Sequence, residues 1–135
     1  MPTKIFVNLP VSDLNKSIEF FKALGYTFNP QFTDETATCM VISEDIYAML
    51  LTHPKFKSFI PHEICDARKA TEVLICLSCD SRQQVDDLVG KAVAAGGTLH
   101  NEPQDHGFMY AHSYQDLDGH IWELVWMDPS FVQPS

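Results

Sequence analysis

Near the end of the chain, the run DLDGHIWELVW (116–126) places one carboxylate, Glu123, inside an apolar strand-like segment. An unpaired buried carboxylate costs several kcal/mol or takes up a proton. Glu123 must therefore be solvated, paired, metal-bound or turned toward a ligand. An apolar wall without a metal raises a carboxylate's pKa toward neutrality, which suits general acid–base work near neutral pH. Three histidines sit close by in sequence: His106, His112 and His120. Together with Glu123 they would make a metal site, but none has the His-x-x-x-His spacing of a helical pair, and strand alternation divides them between faces. His120 falls with Trp122, Leu124 and Trp126, opposite Glu123. His112 lies mid-strand in FMYAHSY, which should pair with the Glu123 strand as a hairpin, and is the histidine expected to join Glu123. Cys76 and Cys79 spell C-x-x-C, yet VLICLSCD reads as one strand, and positions three apart on a strand point to opposite faces. They do not chelate one ion, and Cys76 is expected to line a pocket as a small apolar residue. No phosphate loop, nucleophile elbow or nucleotide fingerprint is present.

The elements that must position these residues are legible in the periodicity. Ile5, Val7, Leu9 and Val11 alternate with Phe6, Asn8 and Pro10, which predicts a first strand. Ser12 or Asp13 can cap a helix carrying Leu14, Ile18, Phe21 and Leu24, with Gly25 as its stop. YTFNPQF, ATCMVIS and IYAMLLT follow as three strand-like runs. The same order then recurs. TEVLICLSC predicts a strand, Asp80 with Gln83 resembles a capping box, and Val85, Leu88, Val89, Ala92 and Val93 form a helical stripe ended by Gly96-Gly97. TLHNE, FMYAHSYQ and HIWELVWM complete the second set. We read a single domain of two repeated modules, 1–53 and 71–135, joined by a connection, 54–70, with one helical turn. In this repeat Tyr47, Met49 and Leu51 correspond to Ile121, Glu123 and Val125.

The chain has 135 residues and a net charge of -9. That balance excludes a nucleic-acid binder, which needs a basic stripe, and at long range favours a cationic ligand. No apolar stretch reaches the roughly 20 residues of a membrane span, so no membrane partner is expected. The four cysteines, without an export signal, suggest reduced thiols in a cytoplasm.

The pattern VSDLNKSIEFFKALGY after a first strand, with MLLTHPKF and HGFMYAHSYQDLDGHIWE, resembles the vicinal oxygen chelate superfamily over nearly the whole chain. That superfamily includes glyoxalase I, bleomycin-resistance proteins and extradiol dioxygenases. Within it, the likeness is to small bacterial glyoxalase-like proteins, predicted lactoylglutathione lyases. The resemblance implies an α+β fold of two βαβββ modules, with mixed sheets curved around a central cleft and helices outside. It also implies a homodimer. The superfamily's metal-ligand positions fall on Phe6, Met49, Leu74 and Glu123, of which only Glu123 retains a ligand for a hard or borderline divalent metal. Catalytic zinc takes three protein ligands, so no cofactor is assigned, and a divalent metal enters only through a weak or displaced site. The expected ligand pocket is Phe6, Asn8, Tyr47, Met49, Leu74, Cys76 and His112, with Glu123 as the chemical residue and Asn8 and Tyr47 orienting a ligand by hydrogen bonds. Two functions follow. One is a glyoxalase-related lyase in which Glu123 abstracts a proton beside a carbonyl. The other is a metal-free protein that sequesters a small cationic or aromatic compound.

Overall fold

The structure is a computed structural model and describes residues 2–131. The chain divides into two compact units, Met1–Cys65 and Asp66–Ser135. Each holds a four-stranded mixed sheet and the same βαβββ order, as the repeat in the sequence predicts.

In the first module the order is β1 Ile5–Val11, α1 Leu14–Ala23, β2 Thr27–Asn29, β3 Ala37–Val41 and β4 Ile46–Thr52. The sheet order is β1-β4-β3-β2, with β1 parallel to β4 and the other pairs antiparallel. Asp13 caps α1, its side chain accepting from the Lys16 N–H at 3.1 Å. Gly25 follows the helix at φ +104, a conformation that needs glycine. Leu14, Phe20, Phe21 and Leu24 are buried, and the helix packs on β3 and β4. The face of Leu9, Val11, Ala48, Leu50 and Met40 is buried. The alternate residues of β1 and β4 occupy the other face of the sheet. A short helix, α2 His53–Lys57, then packs against β1 and β4, which is the single turn expected in the connection.

The second module repeats this with β5 Leu74–Ser78, α3 Arg82–Ala94, β6 Gln104–Asp105, β7 Met109–Gln115 and β8 Ile121–Met127, in sheet order β5-β8-β7-β6. α3 buries Val85, Val89 and Ala92 and packs on β7 and β8. Its core side chains include Tyr114, Trp122 and Leu124, all fully buried. Burial of an aliphatic side chain such as Leu124 is worth roughly 1.5–3 kcal/mol.

Two local expectations are corrected. The cap of α3 is Ser81, not Asp80: the Ser81 hydroxyl accepts from the Gln84 N–H at 3.0 Å, while Gln84 Oε1 accepts from the Asp80 N–H at 2.6 Å. The capping box is thus shifted by one residue. TLHNE is not a strand. Only Thr98 makes an isolated bridge, to Gln115, and the fourth strand is the two-residue β6, just past Pro103. The Asp105 side chain anchors β6. Arg82 donates to both its carboxylate oxygens, at 2.8 and 3.1 Å, and to the Gly107 carbonyl at 3.0 Å. The Arg82 guanidinium also lies 5.2 Å from the ring centres of Tyr110 and Trp126.

Candidate functional site

Glu123 is aimed by the turn that precedes its strand. Asp116 is buried, and its Oδ1 accepts the N–H groups of Asp118 at 2.9 Å and His120 at 3.0 Å. Its Oδ2 accepts the Trp122 indole N–H at 3.0 Å. Burial pushes the Asp116 carboxyl up from the usual carboxylate range, against the opposing pull of His120 and these donors. Gly119 sits at φ +90, and a Cβ there would come 3.0 Å from the Arg68 backbone nitrogen. Only glycine fits both the conformation and the approach. His120 is buried, its Nδ1 2.7 Å from Glu72 Oε1. From this clamped start, β8 alternates. Trp122 and Leu124 enter the core while Ile121, Glu123 and Val125 take the other face, each half-buried.

On that face Glu123 stands between Cys76 of β5 and Ser113 of β7 in register. Neither takes its charge. The buried Ser113 hydroxyl donates to Asn101 Oδ1 at 3.1 Å, and His100 Nε2 lies 3.0 Å from the Ser113 Oγ. Because the hydroxyl proton goes to Asn101, His100 Nε2 is the donor to Ser113. Burial, and then the Glu123 charge, push the Cys76 thiol up, so it stays a protonated thiol near neutral pH rather than a nucleophilic thiolate. Among the described residues, no hydrogen bond or ion pair is made by the Glu123 side chain. Leu74 and Val125 flank it on the same face, and Leu74 is 54% exposed.

In module 2, then, Leu74, Cys76 and Glu123 share one face, as their alternation predicts. His112 does not join them. It pairs in register with Leu124, on the opposite face, and its Nε2 lies 3.2 Å from the Asn101 carbonyl. The residue across from Glu123 is Ser113. In module 1, Phe6, Asn8, Tyr47 and Met49 share one face, with Phe6 opposite Tyr47 and Asn8 opposite Met49. The Phe6 and Tyr47 rings stack at 4.8 Å. The donors expected to orient a ligand are engaged locally. The Tyr47 hydroxyl donates to the Glu44 carbonyl at 2.8 Å, and the Asn8 amide donates to the Phe6 carbonyl at 3.2 Å. The periodicity singled out neither Ser113, His100 nor Asn101. Ser113 was nonetheless accessible by counting outward from the Asp118-Gly119 turn.

Paired βαβββ modules with the α-helix on one face of each sheet define the vicinal oxygen chelate architecture. A family profile described as "Bleomycin resistance protein-like N-terminal" matches residues 3–43. The chain is 31% identical to a hypothetical protein from S. aureus, covering 93% of this chain and 95% of that one at a TM-score of 0.78. It also matches a glyoxalase-related enzyme from Fulvimarina pelagi, at 18% identity, 93% and 88% coverage and a TM-score of 0.76. A genomically encoded fosfomycin resistance protein from Listeria monocytogenes matches at 17% identity, 100% and 96% coverage and a TM-score of 0.67. These last two likenesses show the fold alone. No curated protein matches the chain. The chain belongs to the vicinal oxygen chelate superfamily of glyoxalase, bleomycin-resistance and dioxygenase proteins.

The superfamily's metal does not fit the residues present here. Phe6 and Leu74 offer no donor atom, and the thioether of Met49 suits soft ions rather than zinc, nickel or iron. Around Glu123 stand a protonated thiol and an engaged hydroxyl. Among the described residues, no three His, Cys, Asp or Glu side chains gather to hold an ion.

Proposed function

We propose that the chain is a small-molecule-binding protein that takes a compact cation with an apolar body, using Glu123 as its anionic contact. The observation that carries this reading is the state of that carboxylate. It is half-buried among apolar residues, and no protein cation or donor among the described residues meets it. A carboxylate so placed gains most from a ligand that brings its own charge-assisted donors. The net charge of -9 favours the same sign of ligand at long range. Leu74 and Val125 beside it offer apolar contact. A homodimer belongs to the same proposal.

The competing reading is a glyoxalase-related lyase in which the same carboxylate removes a proton beside a carbonyl. It is favoured by the place Glu123 keeps at a ligand position of the superfamily.

Calorimetric titration with 2-naphthylmethylammonium and its neutral partner 2-naphthylmethanol tests the proposal. The ammonium is expected to bind more tightly than the alcohol, and Glu123→Gln should weaken it by about tenfold or more while leaving the alcohol unchanged. Equal binding of the two compounds, or no effect of the substitution, would refute it. Fosfomycin, an anionic phosphonate, extends the comparison and is expected not to bind.

A further inference from the structure

A second site lies in module 1, where the edge of the sheet fails to cover α1. β2 is only three residues long and gives way to a 3-10 turn at Pro30–Phe32. The flank of α1 carrying Ile18 and Lys22 is left open above it. The resulting groove has a volume of about 590 Å³ and is lined by Ile18, Lys22, Tyr26, Phe28, Thr33 and Thr38 among others, none of them acidic. That volume falls within the usual range for small-molecule sites. Ile18 shares the helical spacing of Leu14, Phe21 and Leu24, but those three are buried while Ile18 is half-buried on the groove wall.

The polar groups of the groove fix which way a ligand would lie. The Thr33 hydroxyl donates to the Asn29 carbonyl at 2.8 Å. The proton in its 2.8 Å contact with the buried Thr38 hydroxyl is therefore Thr38's own. Both hydroxyl protons are engaged, so this inner end has no donor left for an anion. Lys22 is the lining cation, and its nearest carboxylate, Glu19, is 3.9 Å away on an exposed stretch of helix. An ion pair of that kind is weak and easily exchanged. From this juxtaposition we infer that the groove binds an aromatic carboxylate, its ring system between Ile18, Tyr26 and Phe28 and its carboxylate at Lys22. The site takes a ligand of opposite charge to the one proposed for Glu123, and the two stand or fall separately.

The test is calorimetric titration of the full chain with 2-naphthoate, using 2-naphthylmethanol as the uncharged control. Lys22→Glu is expected to weaken naphthoate by about tenfold or more and to leave the alcohol unaffected. Ile18→Trp, which fills the groove, should abolish naphthoate binding. Glu123→Gln should leave naphthoate binding unchanged. The proposal is overturned if naphthoate gives no saturable binding up to about 1 mM. Affinity insensitive to both Lys22→Glu and Ile18→Trp, or lost in Glu123→Gln, overturns it as well.

Discussion

Single side chains decide how Glu123 is presented. Asp116 uses both carboxylate oxygens, one on the turn and one on the Trp122 indole. Asp116→Asn keeps the shape but turns an amide N–H toward another N–H, leaving a buried donor without its acceptor. That substitution should lower unfolding stability by about 2 kcal/mol in urea titration. A loss below about 0.5 kcal/mol would mean that the turn does not depend on this carboxylate. The face of Glu123 was legible in the sequence because Trp122, Leu124 and Trp126 fix the opposite parity. The partner of Glu123 was misread. Pairing about Asp118 sets Ser113 against Glu123 and His112 against Leu124, so one step of register moved the histidine to the wrong face. The engagement of Tyr47 was not legible, because its acceptor is a turn carbonyl whose position no periodicity encodes.

Helices and long strands follow from pattern, whereas β6 follows from an ion pair. Asp13, Gly25 and the apolar stripes marked α1 and α3 well. β6 has two exposed residues and no alternation, so nothing in its pattern announces it. Its anchor is Arg82, which holds the Asp105 carboxyl at about 2, below its ordinary 3.8. A depressed carboxyl contributes stability in full above its unfolded value. That contribution disappears as pH falls from about 4 through about 2. Wild-type protein should therefore lose more of its melting temperature between these two pH values than Asp105→Asn does. Parallel curves for the two proteins would show that the pair contributes nothing to holding β6. The pair is solvent-exposed and screened by salt, so the difference should shrink in high salt.

Across the whole chain, the duplication was the most legible feature, since both halves carry the same strand and helix order and equivalent registers: Asn8 pairs with Met49 as Cys76 pairs with Glu123. The superfamily came from motif residues and not from the ligand positions, where apolar side chains replace donors. Accordingly, treatment with a chelator, or addition of zinc or nickel, should leave both the melting temperature and the binding of 2-naphthylmethylammonium unchanged. A large metal-dependent shift would reveal a donor set other than the superfamily's. The proposed homodimer predicts a dimer mass in sedimentation at micromolar concentration, and a monomer mass there would remove it. The central claim is that Glu123 meets the charge of a bound cation. It is tested most directly by a crystal structure with 2-naphthylmethylammonium bound. The account predicts the ammonium within about 3 Å of the Glu123 carboxylate, with the ring system against Leu74 and Val125. A bound ligand whose nitrogen sits elsewhere, with Glu123 facing solvent, would contradict it.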